Sequence, residues 1–277
     1  MDKIKKVYID SRYKTSDSNR NSDFKFELQE QIDVPDNTVC YIDDISIPHS
    51  WYTVEDYNNR LYIEHENTST GVDDYIVIII PPGNYNGVNL AAEMQKAIKE
   101  RFPEINCVYN AGRGTITISN SYNFRILTEP NALLIQQLGK FWYKANGAMA
   151  ILQEGNLNSI NDVIRHSVDI PVADRSTTFE TEFLDLLNTH NIYMHCPNLG
   201  HYNCVGVRGE NSIVKKVPVS SSFGYLILDS VVAPHDKIDV SRQSIKTMHF
   251  TLKNVHGNII NLHGAHVSFS LVFQTIE

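Results

Sequence analysis

The densest group of potential metal ligands lies between residues 195 and 204, where two histidines and two cysteines occur: His195, Cys196, His201 and Cys204. Both side-chain types are common ligands of zinc. The spacing matches no familiar zinc finger, however, and neighbours such as His195 and Cys196 point to opposite faces of a β-strand. We therefore interpret this group as a strand end and a loop, and predict no metal site.

A second group of candidate ligands is formed by His256, His263 and His266 near the C-terminus. Cupins, which are jelly-roll enzymes, bind a metal through two histidines placed two residues apart on one strand. His263 and His266 are three residues apart and would point to opposite faces of a regular strand. The following stretch, Val267–Phe273, also contains no carboxylate. We predict that these histidines lie on a sheet surface or rim and bind no metal.

Two pairs of adjacent carboxylates, Asp43-Asp44 and Asp73-Asp74, could in principle act as a general acid and base. Adjacent residues on a strand are divided between its two faces, so we interpret both pairs as solvated or loop charges. The motifs GxSxG, GxxxxGK[ST], GxGxxG and HExxH are absent from the sequence. We therefore predict a protein that is not an enzyme, with no catalytic residues and no cofactor.

Three aromatic residues, Trp51, Tyr52 and Tyr57, leave two interpretations open. They could form an exposed contact for a carbohydrate or a receptor, together with the Asn-rich loops. They could equally pack in a core or between lobes, because aromatic side chains bury large apolar areas.

Composition narrows the possible partners. The net charge of −8 makes nucleic-acid binding unlikely, since such proteins need a basic surface. The local exception is the N-terminal segment, which also contains acidic residues; its basic residues are Lys3, Lys5, Lys6, Arg12, Lys14 and Arg20. The longest apolar run, Ile76–Ile80, is too short to cross a bilayer, so we expect no membrane insertion. Four irregularly spaced cysteines predict no disulfide framework and folding in a reducing compartment.

The elements that must position these residues are mainly β-strands. Ala265–Phe273 alternates apolar and polar residues, and so does Phe24–Gln29, which is typical of half-buried strands. We predict a β-sandwich whose first strand, Phe24–Leu28, pairs with this closing strand, and residues 11–22 form an extended arm or loop. Further short strands are predicted at roughly ten-residue spacing, among them Asn258–Leu262.

The middle of the chain has a different pattern. Leu90, Met94, Ala97 and Ile98 form an apolar stripe that predicts a helix ending before Pro103. Strands on both sides of it make residues 56–130 a strand–helix–hairpin unit. Residues 131–176 are expected to be loops, with a further helix possible at 132–138. The segment 177–187 fits either a helix or a strand, and we favour a strand at Phe183–Leu187.

Several phrases in order resemble the penton (minor capsid) proteins of Polinton/Maverick elements, virophages and adintovirus-like viruses. They are YIDSRYKTSDSNRNSDFKFEL, IDDISIPHSWYTV, NNRLYIEHE, IIPPGNYNGVNLAAEMQKAI and GRGTITIS, followed by GENSIVKKVPVSSSFGYLI and KNVHGNIINLHGAHVSFSLVF. The resemblance covers most of the chain apart from about 131–176. It implies a single jelly roll with an inserted, mostly β domain that carries one helix and projects outward.

The family implies a viral structural protein that forms the pentameric vertex of an icosahedral capsid, with strands perpendicular to the capsid surface. We expect a homopentamer in the virion that contacts the major capsid protein and, as a further option, a host-surface receptor. Residues 1–55 and 177–277 are assigned to the jelly roll and 56–176 to the insertion. Residues 1–20 are expected to be an arm whose deletion leaves the isolated fold intact. The alternative function is a carbohydrate- or receptor-binding β-sandwich attachment protein.

Overall fold

The computed structural model describes residues 4–67, 72–145, 148–151, 157–167, 175–199 and 212–276. Contacts between residues divide the chain into two compact units. The first unit comprises Met1–Trp51 and Thr189–Glu277, and the second comprises Tyr52–Asn188. The second unit is therefore an insertion into the sequence of the first.

Most of the regular structure is β-strand, as the alternating patterns predict. The strands are β1 (Ile4–Asp10), β2 (Asp23–Asp33), β3 (Thr38–Pro48), β4 (Arg60–Asn67), β5 (Val72–Ile79), β6 (Asn106–Asn110), β7 (Thr115–Ile126), β8 (Phe141–Ala145), β9 (Ala148–Ile151), β10 (Ser176–Glu180), β11 (Asn191–His195), β12 (Ile213–Pro218), β13 (Leu226–Asp229), β14 (Ile238–Asp239), β15 (Ser244–Lys253) and β16 (Ser268–Thr275). The helices are α1 (Gly87–Lys99), α2 (Glu129–Gln137) and α3 (Asn161–Ile164).

The first unit has the strand order of a jelly roll. One sheet has the order β1-β16-β3-β13, with the short β14 also on β3, and the other has the order β12-β11-β15-β2. Disregarding β14, the first strand of the unit pairs with the last, the second with the second-last and the third with the third-last, while the middle two, β11 and β12, pair with each other. This is the pattern of a long hairpin rolled into two sheets. The predicted all-β jelly-roll fold is confirmed.

The two sheets share one apolar core. Ile9, Ile45 and Leu271 come from the first sheet and Met194 and Phe250 from the second, and all of them are buried. The ring of Phe250 lies 4.8 Å from that of Phe269, measured between centroids, and so bridges the two sheets. Period-two alternation on each strand supplies this core, because every second side chain points inward.

The prediction that the closing strand pairs with Phe24–Leu28 is wrong, because the closing strand has a different N-terminal partner. The closing strand β16 pairs with β1 and β3, whereas the segment Phe24–Leu28 belongs to β2 in the opposite sheet and pairs with β15. First and last strands do lie side by side, but the first strand is Ile4–Asp10. The predicted N-terminal arm therefore begins with a strand of the sandwich, and Ile9 and Ser11 are buried. The predicted strand at 258–262 is also absent, since only Ile259 makes a β-bridge there.

The second unit is built on a seven-stranded sheet with the order β10-β7-β4-β5-β8-β9 and with β6 paired to β7. Helix α1 begins where the Asn86 side chain accepts a hydrogen bond from the N–H of Asn89, and it buries the predicted stripe of Leu90, Met94 and Ile98. These side chains pack with Leu61 and Ile63 on one face of the sheet. The intervening residue Tyr62 points to the other face, where it packs with Ala132 of α2.

The insertion differs from the prediction in two ways. It contains three helices in its described part instead of one: α2 covers most of the possible helix at 132–138, whereas α3 lies where loops were expected. The segment around 177–187 also belongs to it, because β10 pairs with β7. The favoured strand at Phe183–Leu187 is absent, and the boundary lies after Asn188 instead of before Thr177. In the described part of the chain, no helix has the length and apolar character needed to cross a membrane.

Candidate functional site

Within the described residues, the members of the histidine–cysteine group pack in the protein interior. His195 and Cys196 are buried at the end of β11, and the Nδ1 atom of His195 lies 3.1 Å from the Ser212 hydroxyl. Burial raises the pKa of the Cys196 thiol to about 12, so it is protonated at neutral pH and a poor nucleophile. His201 and Cys204 lie outside the described residues. Among residues that are described, no three potential ligands come together.

The three C-terminal histidines precede β16; of these, His266 was predicted to lie within the closing strand, which begins two residues later, at Ser268. His263 has a positive φ of 47° in a turn, which is a loop conformation. The Nδ1 atom of His266 lies 3.4 Å from the Oγ atom of the buried Ser11. That Oγ atom also accepts a hydrogen bond from the N–H of Val267 at 3.1 Å. His266 therefore helps to fix the chain that leads into the closing strand.

A β-bulge overturns the expectation that Asp43 and Asp44 are divided between two faces. Ser270 pairs with Asp44, but the next residue of β16 pairs with Ile42, so Asp43 is an extra residue on β3. A bulge places neighbouring side chains on one face, and both carboxylates reach the Lys6 amine, at 2.7 Å and 3.2 Å. The hydrogen bond from Ser270 lowers the pKa of Asp44. The pair thus anchors β1 to the sheet.

Asp73 and Asp74 do reach different partners, but both are more than solvated charges. Asp73 accepts two hydrogen bonds from Arg175, each 2.7 Å long, and these lower its pKa. Asp74 lies 3.8 Å from Arg101. Arg175 also contacts Glu64, which is buried in β4 and forms a second ion pair with Arg125 of β7. This network of two arginines and two carboxylates joins strands of the sheet to the segment before β10. It had no recognisable signal in the sequence.

Trp51 is a core residue of the first unit, so it is not part of an exposed aromatic contact. Only 1% of its surface is exposed, and its ring stacks on His49 with centroids 4.2 Å apart. His49 donates from Nδ1 to the carbonyl oxygen of Ser221 at 2.7 Å, assuming the neutral tautomer that this acceptor requires. The pKa of His49 is lowered, mainly because burial disfavours the charged imidazolium.

Acidification is expected to destabilise the first unit through His49. The unfolded chain binds a proton near the ordinary histidine pKa of about 6.5, whereas the folded state binds it only at lower pH. Stability is therefore full above pH 6.5 and falls as the pH drops toward the folded-state pKa. His49→Asn keeps an N–H donor at the Nδ1 position and should flatten this slope below pH 6.5 in urea unfolding. Equal slopes in the His49→Asn variant and the parent would contradict the assignment.

The most distinctive surface feature is a set of exposed apolar side chains at both edges of the first sheet. On and beside β13 they are Tyr225, Leu226, Leu228 and Val231, each 55% to 72% exposed. On β1, at the other edge, Ile4 and Tyr8 are 62% and 74% exposed. An exposed apolar edge strand tends to associate with another chain. Exposed apolar groups clustered there are therefore typical of interaction surfaces. We call these sets the β13 patch and the β1 patch.

Comparison with known proteins bears on the fold. No protein-family model and no curated protein matches the sequence. The crystal structure of the selenomethionine-labelled mavirus penton protein is similar over 100% of both chains, with a TM-score of 0.50 and 8% sequence identity. The chain has the fold of the mavirus penton protein. A chain in the 3.5 Å cryo-EM structure of the Sputnik virophage aligns over 99% of this chain and 98% of its own, with 13% identity; its TM-score of 0.44 is too low to support an argument.

Proposed function

We propose that the protein is a penton, a minor capsid protein whose homopentamers form the vertices of an icosahedral capsid. The observation that carries this proposal is the likeness to a penton protein over the full length of both chains, insertion included. Jelly rolls serve many functions, so fold alone would be a weak argument. The resemblance of the sequence phrases to the same family is an independent support. The described residues offer no cluster of metal ligands that would favour a jelly-roll enzyme instead.

The surface of the first unit suits a ring. In a closed ring each subunit uses two different surfaces, one for each neighbour, unlike the single self-complementary surface of a dimer. The β1 patch and the β13 patch are two such surfaces at opposite edges of one sheet. We propose that they face neighbouring subunits.

The oligomeric state tests the proposal directly. Native mass spectrometry and negative-stain imaging of the purified full chain should show five-membered rings. Monomers that persist at tens of micromolar, or a closed assembly of another symmetry, would contradict a vertex role.

Placing a charge in the β13 patch should weaken the ring. Leu228→Asp puts a carboxylate on a side chain that is 69% exposed in the isolated subunit, so folding should be unaffected. Burying that charge in a contact is unfavourable, and a central contact residue contributes about 2 kcal/mol or more, which is a rise in dissociation constant of about 30-fold. Val255→Asp, at an exposed apolar residue of the same unit, is the matched control. Analytical ultracentrifugation of both variants decides the point, and unchanged pentamers in Leu228→Asp would exclude this patch.

The remaining elements of the proposal follow from the vertex role. The protein would act in the virion without enzymatic activity, contact the major capsid protein, and fold in a reducing compartment. The buried, unpaired thiols of Cys40, Cys107 and Cys196 fit such a compartment. The second unit would be the inserted domain of the penton fold and the natural place for contact with a host-surface receptor. A role in nucleic-acid binding is disfavoured by the net charge of −8.

A further inference from the structure

The second sheet of the first unit has edge strands that are protected against pairing with another chain. At one edge, every second residue of β12 is bonded to β11, and the N–H of Val219, just after β12, continues this set by donating to His190 at 2.9 Å. Successive residues of a strand direct their backbone groups to opposite sides, so those of Lys216 and Pro218 point outward. Both residues are exposed, and proline has no N–H to donate. Lysine and proline are residues that block pairing at an edge strand.

The other edge strand of the second sheet, β2, is covered by the chain that precedes it. The N–H of Thr15 donates to the carbonyl oxygen of Lys25 at 2.9 Å, and the N–H of Lys25 donates to the Ser18 hydroxyl at 2.8 Å. Farther along the strand, the exposed residues include Glu27 and Glu30. A covering segment and charged side chains are two further devices by which sheets avoid pairing with another chain.

The edge of the first sheet at β1 lacks this protection. The N–H of Ser11 donates to Val267 at 2.9 Å, which places Ser11 and every second residue before it in the set bonded to β16. The backbone groups of Ile4 and Tyr8 therefore point outward, and these are the exposed apolar residues of the β1 patch. In the described part of the chain, no other segment forms backbone hydrogen bonds with this side of β1.

The opposite edge of the first sheet, at β13, has the same character. The N–H of His49 donates to the carbonyl oxygen of Tyr225 at 2.9 Å, so Tyr225 and Ile227 belong to the set bonded to β3. Leu226 and Leu228 direct their backbone groups outward, and their side chains are exposed. At both edges, therefore, residues with outward backbone groups also carry exposed apolar side chains. An edge of this kind is a template for pairing with another strand.

The charges at these two edges are compatible with burial in a contact. The charged residues with outward backbone groups are Lys6 and Asp10, both on β1. Lys6 pairs with two aspartates of β3, the closer at 2.7 Å, and Asp10 pairs with Arg12 at 2.6 Å. Their charges are therefore compensated within the subunit. On β13 the outward residues Leu226 and Leu228 are uncharged, so a contact between the two edges leaves no unpaired charge at these positions.

The directions of the two edge strands fit pairing between copies of the chain. Across the sheet, β1 is antiparallel to β16, β16 to β3, and β3 to β13, so β1 and β13 run in opposite directions. In a sheet that closes into a barrel, the strands are inclined to the axis by less than about 45°, and rotation about that axis does not reverse any strand. Strand β13 of one copy would therefore meet β1 of the next as an antiparallel pair.

We propose that β1 of each subunit forms backbone hydrogen bonds with β13 of its neighbour, so that the first sheets of the ring become one continuous sheet. This inference rests on the proposed ring but goes further, because a ring can also be held by side chains alone. Tyr8 and Leu228 each alternate with buried residues, so their side chains would lie together on the outer face of the joined sheets. Pairing of β1 with a second β1 would instead give a twofold dimer and leave β13 uncovered.

Leu228→Pro tests the backbone bond. Proline removes an N–H that is directed away from β3, and proline is tolerated on an edge strand when its nitrogen faces outward, so the subunit should fold. Leu228→Ala is the matched control, because it keeps the N–H and removes more of the apolar side chain. The proline variant leaves a carbonyl oxygen of the neighbouring β1 unpaired. Its ring should therefore have a dissociation constant at least about fivefold above that of the alanine variant in analytical ultracentrifugation. Equal constants would overturn the pairing.

Residue-resolved hydrogen exchange of the parent protein gives a second measurement that needs no variant. The amides of Tyr8, Leu226 and Leu228 should exchange at least about tenfold more slowly in the ring than in subunits dissociated by dilution, because their N–H groups become bonded. The amide of Glu27, on the protected edge strand β2, should exchange at the same rate in both states. Rings with fast exchange at Tyr8 and Leu228 would refute the paired edges alone. A chain that stays monomeric would refute both this pairing and the vertex role.

Discussion

Deleting residues 1–11 is expected to unfold the first unit, in contrast to the dispensable arm that the polar N-terminal sequence predicts. The deletion removes β1, which pairs with β16 from Ile4 to Asp10. It also removes Ser11, whose N–H donates to the carbonyl oxygen of Val267 at 2.9 Å. Loss of the buried Ile9 alone would destabilise the unit by about 2–5 kcal/mol, and each buried polar group left unpaired adds about 1–3 kcal/mol. That sum is comparable to the whole stability of a typical domain, about 5–15 kcal/mol.

The two tryptophans of the chain allow the measurement to be made for one unit. Trp51 lies in the first unit and Trp142 in the second, so fluorescence of a Trp142→Phe background reports the jelly roll alone. Ile9→Ala truncates a side chain that is 1% exposed, and Lys5→Ala is its control at an exposed position of the same strand outside the β1 patch. We expect Ile9→Ala to lower the free energy of unfolding by about 2–5 kcal/mol and Lys5→Ala by less than about 0.5 kcal/mol. A truncated protein with the urea midpoint of the parent would show that β1 does not support the fold.

Glu64→Gln is expected to destabilise the second unit by about 3–5 kcal/mol, because it leaves two arginines with an incomplete set of counter-charges. The Glu64 side chain is only 1% exposed and pairs with both Arg125 and Arg175. Glutamine preserves the shape of the site but not its charge. Asp73 still pairs with Arg175, whereas the ion pair between Glu64 and Arg125, which joins β4 to β7, is lost. The cost therefore falls mainly on the contact between β4 and β7.

Hydrogen-exchange mass spectrometry resolves this effect by segment. Peptides from β4 and β7 should lose protection in Glu64→Gln, while peptides from β11 and β15 in the first unit should not. Asp74→Asn is the matched control, since Asp74 is about one-third exposed and lies 3.8 Å from Arg101. Partly exposed ion pairs contribute about 1 kcal/mol or less. Similar exchange in the two variants would mean that the buried network is no more important than a surface pair.

Local patterns in the sequence were sufficient for the type of most elements. The alternation in the closing strand and the apolar stripe of α1 are local periodicities, which depend on which side chains must be buried. The turn residues are a local signal as well. Strand β1 was not predicted from these patterns because it is an edge strand. Only its inward residues, Val7 and Ile9, pack toward the core, while Lys3, Lys5 and Lys6 make the segment look like a solvated arm.

The candidate sites were less predictable than the fold. The opposite-face argument failed for Asp43 and Asp44 because a bulge is a property of two paired strands, and the sequence of one strand does not reveal it. The network of Glu64, Asp73, Arg125 and Arg175 depends on β4, β5, β7 and the segment before β10 meeting in space. None of these segments has a motif of its own.

The sequence by itself determined the class of fold, because apolar and polar residues alternate with a period of two along the strands. It also determined the resemblance to a penton family, because that resemblance depends on short sequence segments and their order. Only the tertiary structure decided which strand closes the sandwich beside β16, where the insertion ends, and that Glu64 meets Arg125 and Arg175. These are pairings between residues far apart in the chain. These pairings are stabilised by side chains that are buried against each other and by opposite charges that meet away from water. A single sequence contains both partners of each pair but does not show that they are paired.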